Sequence, residues 1–113
     1  MAKLLFWVTA GVDQEAKVRA NLVLALRLKT VRQQDVRVYF FGPGVKLAES
    51  GSDEVRNAIR ALHDEGVTVE ACPANVQQMN LNPDAITSLG IGLHPAGEVL
   101  VQLVEDGYQV IGV

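Results

Sequence analysis

The feature that most constrains this chain is the alternation of short apolar runs with longer segments whose apolar residues recur at helical spacing. The first run is almost continuously apolar, as expected of a central parallel strand covered on both faces. Alternating strands and helices favour a parallel sheet with right-handed crossovers. We therefore predict an α/β fold, a three-layer sandwich around a five-stranded, mainly parallel sheet. The predicted strands are 3–9, 36–41, 67–72, 89–93 and 108–113.

About four helices are predicted between these strands. Their bounds are 13–31, 52–65, 73–80 and 95–105, with one more helical turn at 83–87. Helical spacing assigns each long helix an inner face. For the first helix this face is Ala16, Ala20, Val23, Leu24 and Leu28; for the second it is Val55, Ile59 and Leu62; for the last it is Val99, Leu100, Leu103 and Val104. The cluster 42–44 (Gly-Pro-Gly) is interpreted as a break after the second strand.

Composition limits the class of protein. A length of 113 residues, 49% of them hydrophobic, fits one domain over residues 1–113 with an ordinary core. The net charge of −3 and the scattered Lys and Arg residues give no attraction to nucleic acid or to anionic lipid. A single cysteine forms no internal disulfide, and no apolar run approaches the length of a membrane span. We therefore expect a cytoplasmic protein without a nucleic-acid or membrane partner.

The predicted sheet indicates where a functional site would lie. In open α/β sheets, ligands bind outside the carboxyl ends of the strands. The segments that leave the predicted strands there are 9–11, 42–45, 71–73 and 93–95. Cys72, the Gly42–Gly44 turn and His94 are therefore expected to share one edge.

Cys72 is the most informative of these residues. Pro73 suits the first position of a helix, which makes Cys72 its N-cap. A thiol at a helix N-terminus faces unpaired N–H groups and the positive end of the helix dipole, and both favour the nucleophilic thiolate. On this interpretation Cys72 is partly accessible and reactive near neutral pH. The alternative is a small buried apolar residue, as many free cysteines are.

The other candidates also have two interpretations each. His94 is either a base or a thiolate-stabilising partner of Cys72, or a loop residue that caps a helix. Gly42 and Gly44 either direct N–H groups towards an anion or supply the flexibility that a turn needs. One cysteine and two separated histidines give no metal-site spacing, and both the dinucleotide fingerprint and the phosphate-loop motif are missing. We expect no metal and no cofactor.

Several segments together resemble the DsrE/DsrF-like sulfur-relay family. They are the second strand running into 42–45 (Gly-Pro-Gly-Val), residues 66–67 opening a strand that ends at Cys72, residues 79–81 (Met-Asn-Leu), and the closing 105–111. The similarity covers nearly the whole chain. It implies a small α/β fold that assembles into trimers or hexamers, as homo-oligomers or with related chains.

The resemblance also implies a function. Some family members carry sulfur as a persulfide on a cysteine that Cys72 matches, and pass it to a partner cysteine. The chain would then be a sulfur-relay protein or sulfurtransferase with donor and acceptor proteins as partners. Other members lack that cysteine and are structural subunits. The alternative is therefore a non-catalytic oligomeric subunit or a small-molecule binding module, and whether the chain is an enzyme stays open at this point.

Overall fold

A computed structural model describes all of residues 1–113 and contains one five-stranded sheet. Its order is β4-β3-β2-β1-β5, and every neighbouring pair is parallel. The α/β class and the five-stranded parallel sheet are confirmed. The strands are β1 (Lys3–Val8), β2 (Asp35–Phe40), β3 (Thr68–Ala71), β4 (Gly92–Leu93) and β5 (Gln109–Gly112).

Six α-helices connect the strands, where the sequence predicted about four. They are α1 (Glu15–Thr30), preceded by a 3-10 turn at Val12–Gln14, α2 (Pro43–Ser50), α3 (Asp53–Asp64), α4 (Pro73–Gln78), α5 (Pro83–Thr87) and α6 (Ala96–Glu105). The missed helix is α2. Only Gly42, with a φ of +59°, turns the chain, and Pro43 then begins the helix at the position where proline is tolerated. No helix is both long and apolar enough to cross a bilayer.

The two faces of the sheet are covered unequally. The chain passes from β1 through β2 and β3 to β4 in one direction across the sheet, and right-handed connections place α1 and α3 on one face. The connection from β4 to β5 runs in the opposite direction and places α6 on the other face. As predicted, α3 buries Val55, Ile59 and Leu62. Ser52 is its N-cap, and the Ser52 hydroxyl accepts a hydrogen bond from the Val55 N–H. The predicted face of α6 is only partly right. Val99 and Leu103 are buried, but Val104 is 52% exposed.

The predicted inner face of α1 is wrong. This helix buries Val18, Leu22 and Ala25. Of the predicted residues, Ala16, Ala20 and Leu24 are exposed, and Val23 and Leu28 are half-buried. The reason is that α1 carries apolar side chains on nearly every side, so helical spacing offered two stripes of similar strength.

Gly44 fixes how closely α2 approaches β1. It is buried, and a Cβ atom at this position would overlap the carbonyl oxygen of Val8. A larger residue at Gly44 therefore does not fit without a shift of the surrounding structure. The clash involves main chain of the central strand, which cannot move aside like a flexible side chain.

We therefore predict that Gly44→Ala lowers the free energy of unfolding by about 1–3 kcal/mol, the usual cost of overpacking. Gly97→Ala is the matched control, because Gly97 lies in α6 with open space around its Cα. It should be neutral or raise stability by up to about 1 kcal/mol. Urea unfolding of both variants measures the difference, and equal stabilities would show that α2 does not need this close approach.

Candidate functional site

Hydrogen bonds join three neighbouring strand exits at the carboxyl edge of the sheet. The N–H of Cys72 donates to the Phe40 carbonyl at 3.2 Å, and the N–H of His94 donates to the Ala71 carbonyl at 3.3 Å. The N–H of Gly42 donates to Oδ1 of Asn75, on α4, at 2.8 Å. The exits of β2, β3 and β4 therefore meet, and the predicted site residues Cys72, His94 and Gly42 lie together at that edge.

Cys72 occupies the N-cap of α4, with Pro73 as the first helical residue. Its side chain receives no capping hydrogen bond. Only 4% of the residue is exposed, so the expected partial accessibility of the thiol is wrong for this single chain. Strand alternation explains the burial: Cys72 lies two residues beyond Glu70 and projects to the same face of the sheet, into the core cluster.

Tyr39 is a completely buried neighbour of this cysteine. It is the register partner of Glu70, its ring stacks on Trp7 at 4.6 Å between ring centroids, and its hydroxyl donates to the His94 carbonyl at 2.8 Å. Burial raises the pKa of Tyr39 well above its usual value, and the neighbouring Cys72 and Glu70 raise it further. Its phenol therefore stays protonated at every physiological pH.

Glu70 carries a carboxylate with only 9% of its side chain exposed. Arg37 donates to Oε1 through Nη2 at 2.7 Å, and Nδ1 of His94 lies 2.7 Å from Oε2. A buried carboxylate is tolerated because both of its oxygens have partners. These three residues, here called the charged cluster, tie β2, β3 and the segment after β4 together.

The charged cluster borders an open cleft between the sheet and α6. This cleft has a volume of about 340 Å³. Besides the charged cluster, its lining comprises Glu98, Val99, Gln102 and Leu103 of α6 and Asp106, which follows that helix. Cys72 is not among the lining residues, so the cleft and the thiol are neighbouring but separate features of the same face.

Sequence reasoning missed Arg37, Tyr39 and Glu70. The sequence did contain an indication of two of them, because Arg37 and Glu70 are opposite charges within strands that are otherwise largely apolar. Residues two apart in a strand share a face, so Arg37 lies with Tyr39, and Glu70 with Cys72. Only the pairing of β2 with β3, which the sequence does not specify, brings these two pairs side by side.

The glycine turn has little donor capacity left for an anion. The Gly42 N–H is taken by Asn75, the Gly44 N–H donates to the Phe41 carbonyl, and the Val45 N–H donates to the Gly42 carbonyl. This arrangement favours the interpretation of the turn as a connection. No three His, Cys, Asp or Glu side chains are grouped as metal ligands.

The fold and the site define a small, parallel α/β domain with one cysteine at the exit of its third strand. The chain matches the family model described as the DsrE/DsrF-like family over residues 2–113, and it belongs to that family. This confirms the family that the sequence motifs indicated.

Solved structures share the fold. A conserved protein of unknown function from Bacteroides thetaiotaomicron is 22% identical with a TM-score of 0.81, over 96% of this chain and 94% of that one. The YchN protein of E. coli is 17% identical with a TM-score of 0.79, over 100% of both chains. A protein of unknown function from Methanobacterium thermoautotrophicum is 16% identical with a TM-score of 0.81, also over 100% of both chains. No curated protein sequence gives a significant match.

The charged cluster generates a stability prediction. Arg37→Gln should lower the free energy of unfolding by about 1–3 kcal/mol, because the buried Glu70 carboxylate loses its guanidinium partner. Arg19→Gln is the matched control, since the Arg19–Glu54 pair is 57% and 70% exposed. It should cost less than about 1 kcal/mol. Urea unfolding distinguishes the two, and an Arg37 variant as stable as the Arg19 variant would contradict the assigned role of the pair.

Proposed function

We propose that this chain is a cytoplasmic sulfur-relay protein, a sulfurtransferase in the sense that it carries a persulfide on Cys72 and passes the sulfur to a partner thiol. The observation that carries the proposal is the position of Cys72. It is the single cysteine of the chain, it occupies the N-cap of α4 at the exit of β3, and the resemblance drawn from the sequence equates it with the cysteine that carries sulfur in some DsrE/DsrF-like proteins.

The chemistry is an exchange without net oxidation. The Cys72 thiolate attacks the outer sulfur of a donor persulfide, so that one S–S bond forms on Cys72 and the S–S bond of the donor breaks. The donor leaves as a thiolate, which takes up a proton. In the second step an acceptor thiolate attacks the outer sulfur on Cys72 and releases the Cys72 thiolate. Because the chain has no second cysteine, the acceptor must be another molecule.

Burial of Cys72 requires a local opening before either step. The segment after β4 lies beside Cys72 at the edge of the sheet. β4 has only two residues, at the edge of the sheet, and the His94 N–H reaches the Ala71 carbonyl over a long 3.3 Å. Short edge elements with few hydrogen bonds open most readily. We infer that displacement of this segment exposes the sulfur.

A second candidate function is a non-catalytic subunit or a small-molecule binding module. The 4% exposure of Cys72 favours it, as does the polar cleft between the sheet and α6. On this alternative Cys72 is a packing residue, and the charged cluster would recognise a ligand. The two candidates differ in whether Cys72 accepts sulfur in the folded protein.

We also propose that the chain forms homo-oligomers, trimers or hexamers, with hetero-oligomers of related chains as the other form. Two sets of exposed apolar side chains support assembly. One set is Val12, Leu24 and Val31, in and beside α1, and the other is Val101, Val104 and Val110, on α6 and β5. Apolar surface of this kind commonly marks contacts between protein chains.

The persulfide prediction is tested by intact mass after incubation with a sulfane-sulfur donor. The folded protein should gain about 32 Da, the mass of one sulfur, by thiol–persulfide exchange. Cys72→Ser should gain nothing. His94→Ala should keep most of the loading rate, because the His94 imidazole is hydrogen-bonded to Glu70 rather than to Cys72. No gain in the wild-type protein would favour the second candidate, and a complete loss in His94→Ala would assign His94 the role of base.

The assembly prediction is tested by light scattering at micromolar concentration. The wild-type protein should have a mass above that of one 12.2 kDa chain. Leu24→Lys places a charge in the set beside α1, and Val104→Lys places one in the set on α6 and β5. Whichever set forms the interface, the variant in that set should lower the measured mass of the assembly. Thr30→Lys, on the exposed surface of α1, is the control. A wild-type mass equal to one chain would remove the proposal.

A further inference from the structure

Strand register and hydrogen bonding place the Tyr39 hydroxyl on the same side of β3 as the Cys72 side chain. Tyr39 faces Glu70 across the β2–β3 pair, and Cys72 is the next residue of β3's exit on the same face. The phenol extends across β3, because its hydroxyl bonds the His94 carbonyl beyond that strand at 2.8 Å. Cys72 also contributes to the raised pKa of the Tyr39 phenol, which agrees with this proximity.

The single hydrogen of the phenol limits what it can do. In this structure that hydrogen points to the His94 carbonyl, so towards a neutral thiol the phenol oxygen can only accept. A thiolate or persulfide anion has the opposite need, since it accepts hydrogen bonds and gains most from a donor in a buried site. The Cys72 side chain receives no capping hydrogen bond from α4, so this need is not met locally.

We propose that Tyr39 is a positioning residue whose hydroxyl moves its hydrogen bond from the His94 carbonyl to the anionic sulfur on Cys72. The persulfide part of this inference rests on the proposed function, whereas the thiolate part does not. No covalent bond changes in the step. The phenol keeps its proton and rotates about its C–O bond, and the proton lost by the thiol goes to solvent.

The switch has a consequence for access. The bond from Tyr39 is one of three that hold His94, with the His94 N–H to Ala71 and the His94 imidazole to Glu70 as the others. When Tyr39 turns to the sulfur, the His94 carbonyl loses its partner and the segment after β4 is held less tightly. Ionisation of Cys72 and opening of its cover are thereby coupled, so that the reactive form of the sulfur is also the form that is more easily reached.

The test compares Tyr39→Phe with Tyr108→Phe. Tyr108 is the only other tyrosine, and its charged neighbours are Asp35, Lys3 and Arg37, towards the amino ends of the strands and away from Cys72. The rate of Cys72 alkylation by iodoacetamide is measured as a function of pH. In Tyr39→Phe the midpoint of the profile should move to higher pH, and the rate at neutral pH relative to the alkaline plateau should fall about tenfold, the scale of one charge-assisted hydrogen bond. Tyr108→Phe should match the wild type.

A purely structural role for Tyr39 gives a different pattern. If Tyr39 only holds the structure, Tyr39→Phe would change the maximal alkylation rate at alkaline pH, because that rate reports access to the sulfur. The pH at the midpoint of the profile would stay the same. The Cβ resonance of 13C-labelled Cys72, a single signal in this chain, follows ionisation without requiring access. An unchanged midpoint by both methods overturns the inference.

Sulfur loading separates this inference from the proposed function. If the wild-type protein accepts sulfur but Tyr39→Phe keeps the wild-type midpoint, the role of Tyr39 is wrong and the relay function stands. If the midpoint moves in Tyr39→Phe but the wild-type protein accepts no sulfur, the hydrogen-bond switch stands for the thiolate and the relay function falls.

Discussion

Parallel pairing of β1, β2 and β3 is the constraint on which the remainder of this structure depends. Each parallel pair needs a connection that crosses the sheet, and this places all strand exits at one edge. Cys72 and His94 are distant in sequence, yet their main chains meet there because β3 and β4 run in the same direction. The close approach of Gly44 to the Val8 carbonyl holds α2 against the same edge.

Within this frame the two faces of the sheet have different chemistry. The face covered by α1 and α3 is apolar, whereas the face covered by α6 carries Arg37, Tyr39 and Glu70. Those polar groups cost free energy when buried, and they are retained with partners for every carboxylate oxygen. Tyr39 and Glu70 both hydrogen-bond to His94, so they tie the segment after β4 to this face of the sheet.

The sequence predicted the class of fold, all five strands and the family, because apolar runs and turn residues report local structure directly. The sequence did not predict the features that depend on how helices and strands pack against one another. The inner face of α1 was wrong since the helix is apolar on several sides, and α2 was missed because Pro43 suits a helix start as well as a turn. Cys72 was placed correctly at the N-cap of α4, but its burial was not predicted, because burial depends on side chains that only strand pairing brings close.

The proposed sulfur chemistry requires that Cys72 becomes reachable through a local opening of the folded protein. The most direct measurement is the rate of Cys72 modification under native conditions at increasing urea, compared with global unfolding of the same sample. A local opening exposes little surface, so the rate should be nearly independent of urea at low concentrations and far above the rate that global unfolding allows. A rate that follows the global unfolding equilibrium from the lowest urea concentration upward would contradict the account.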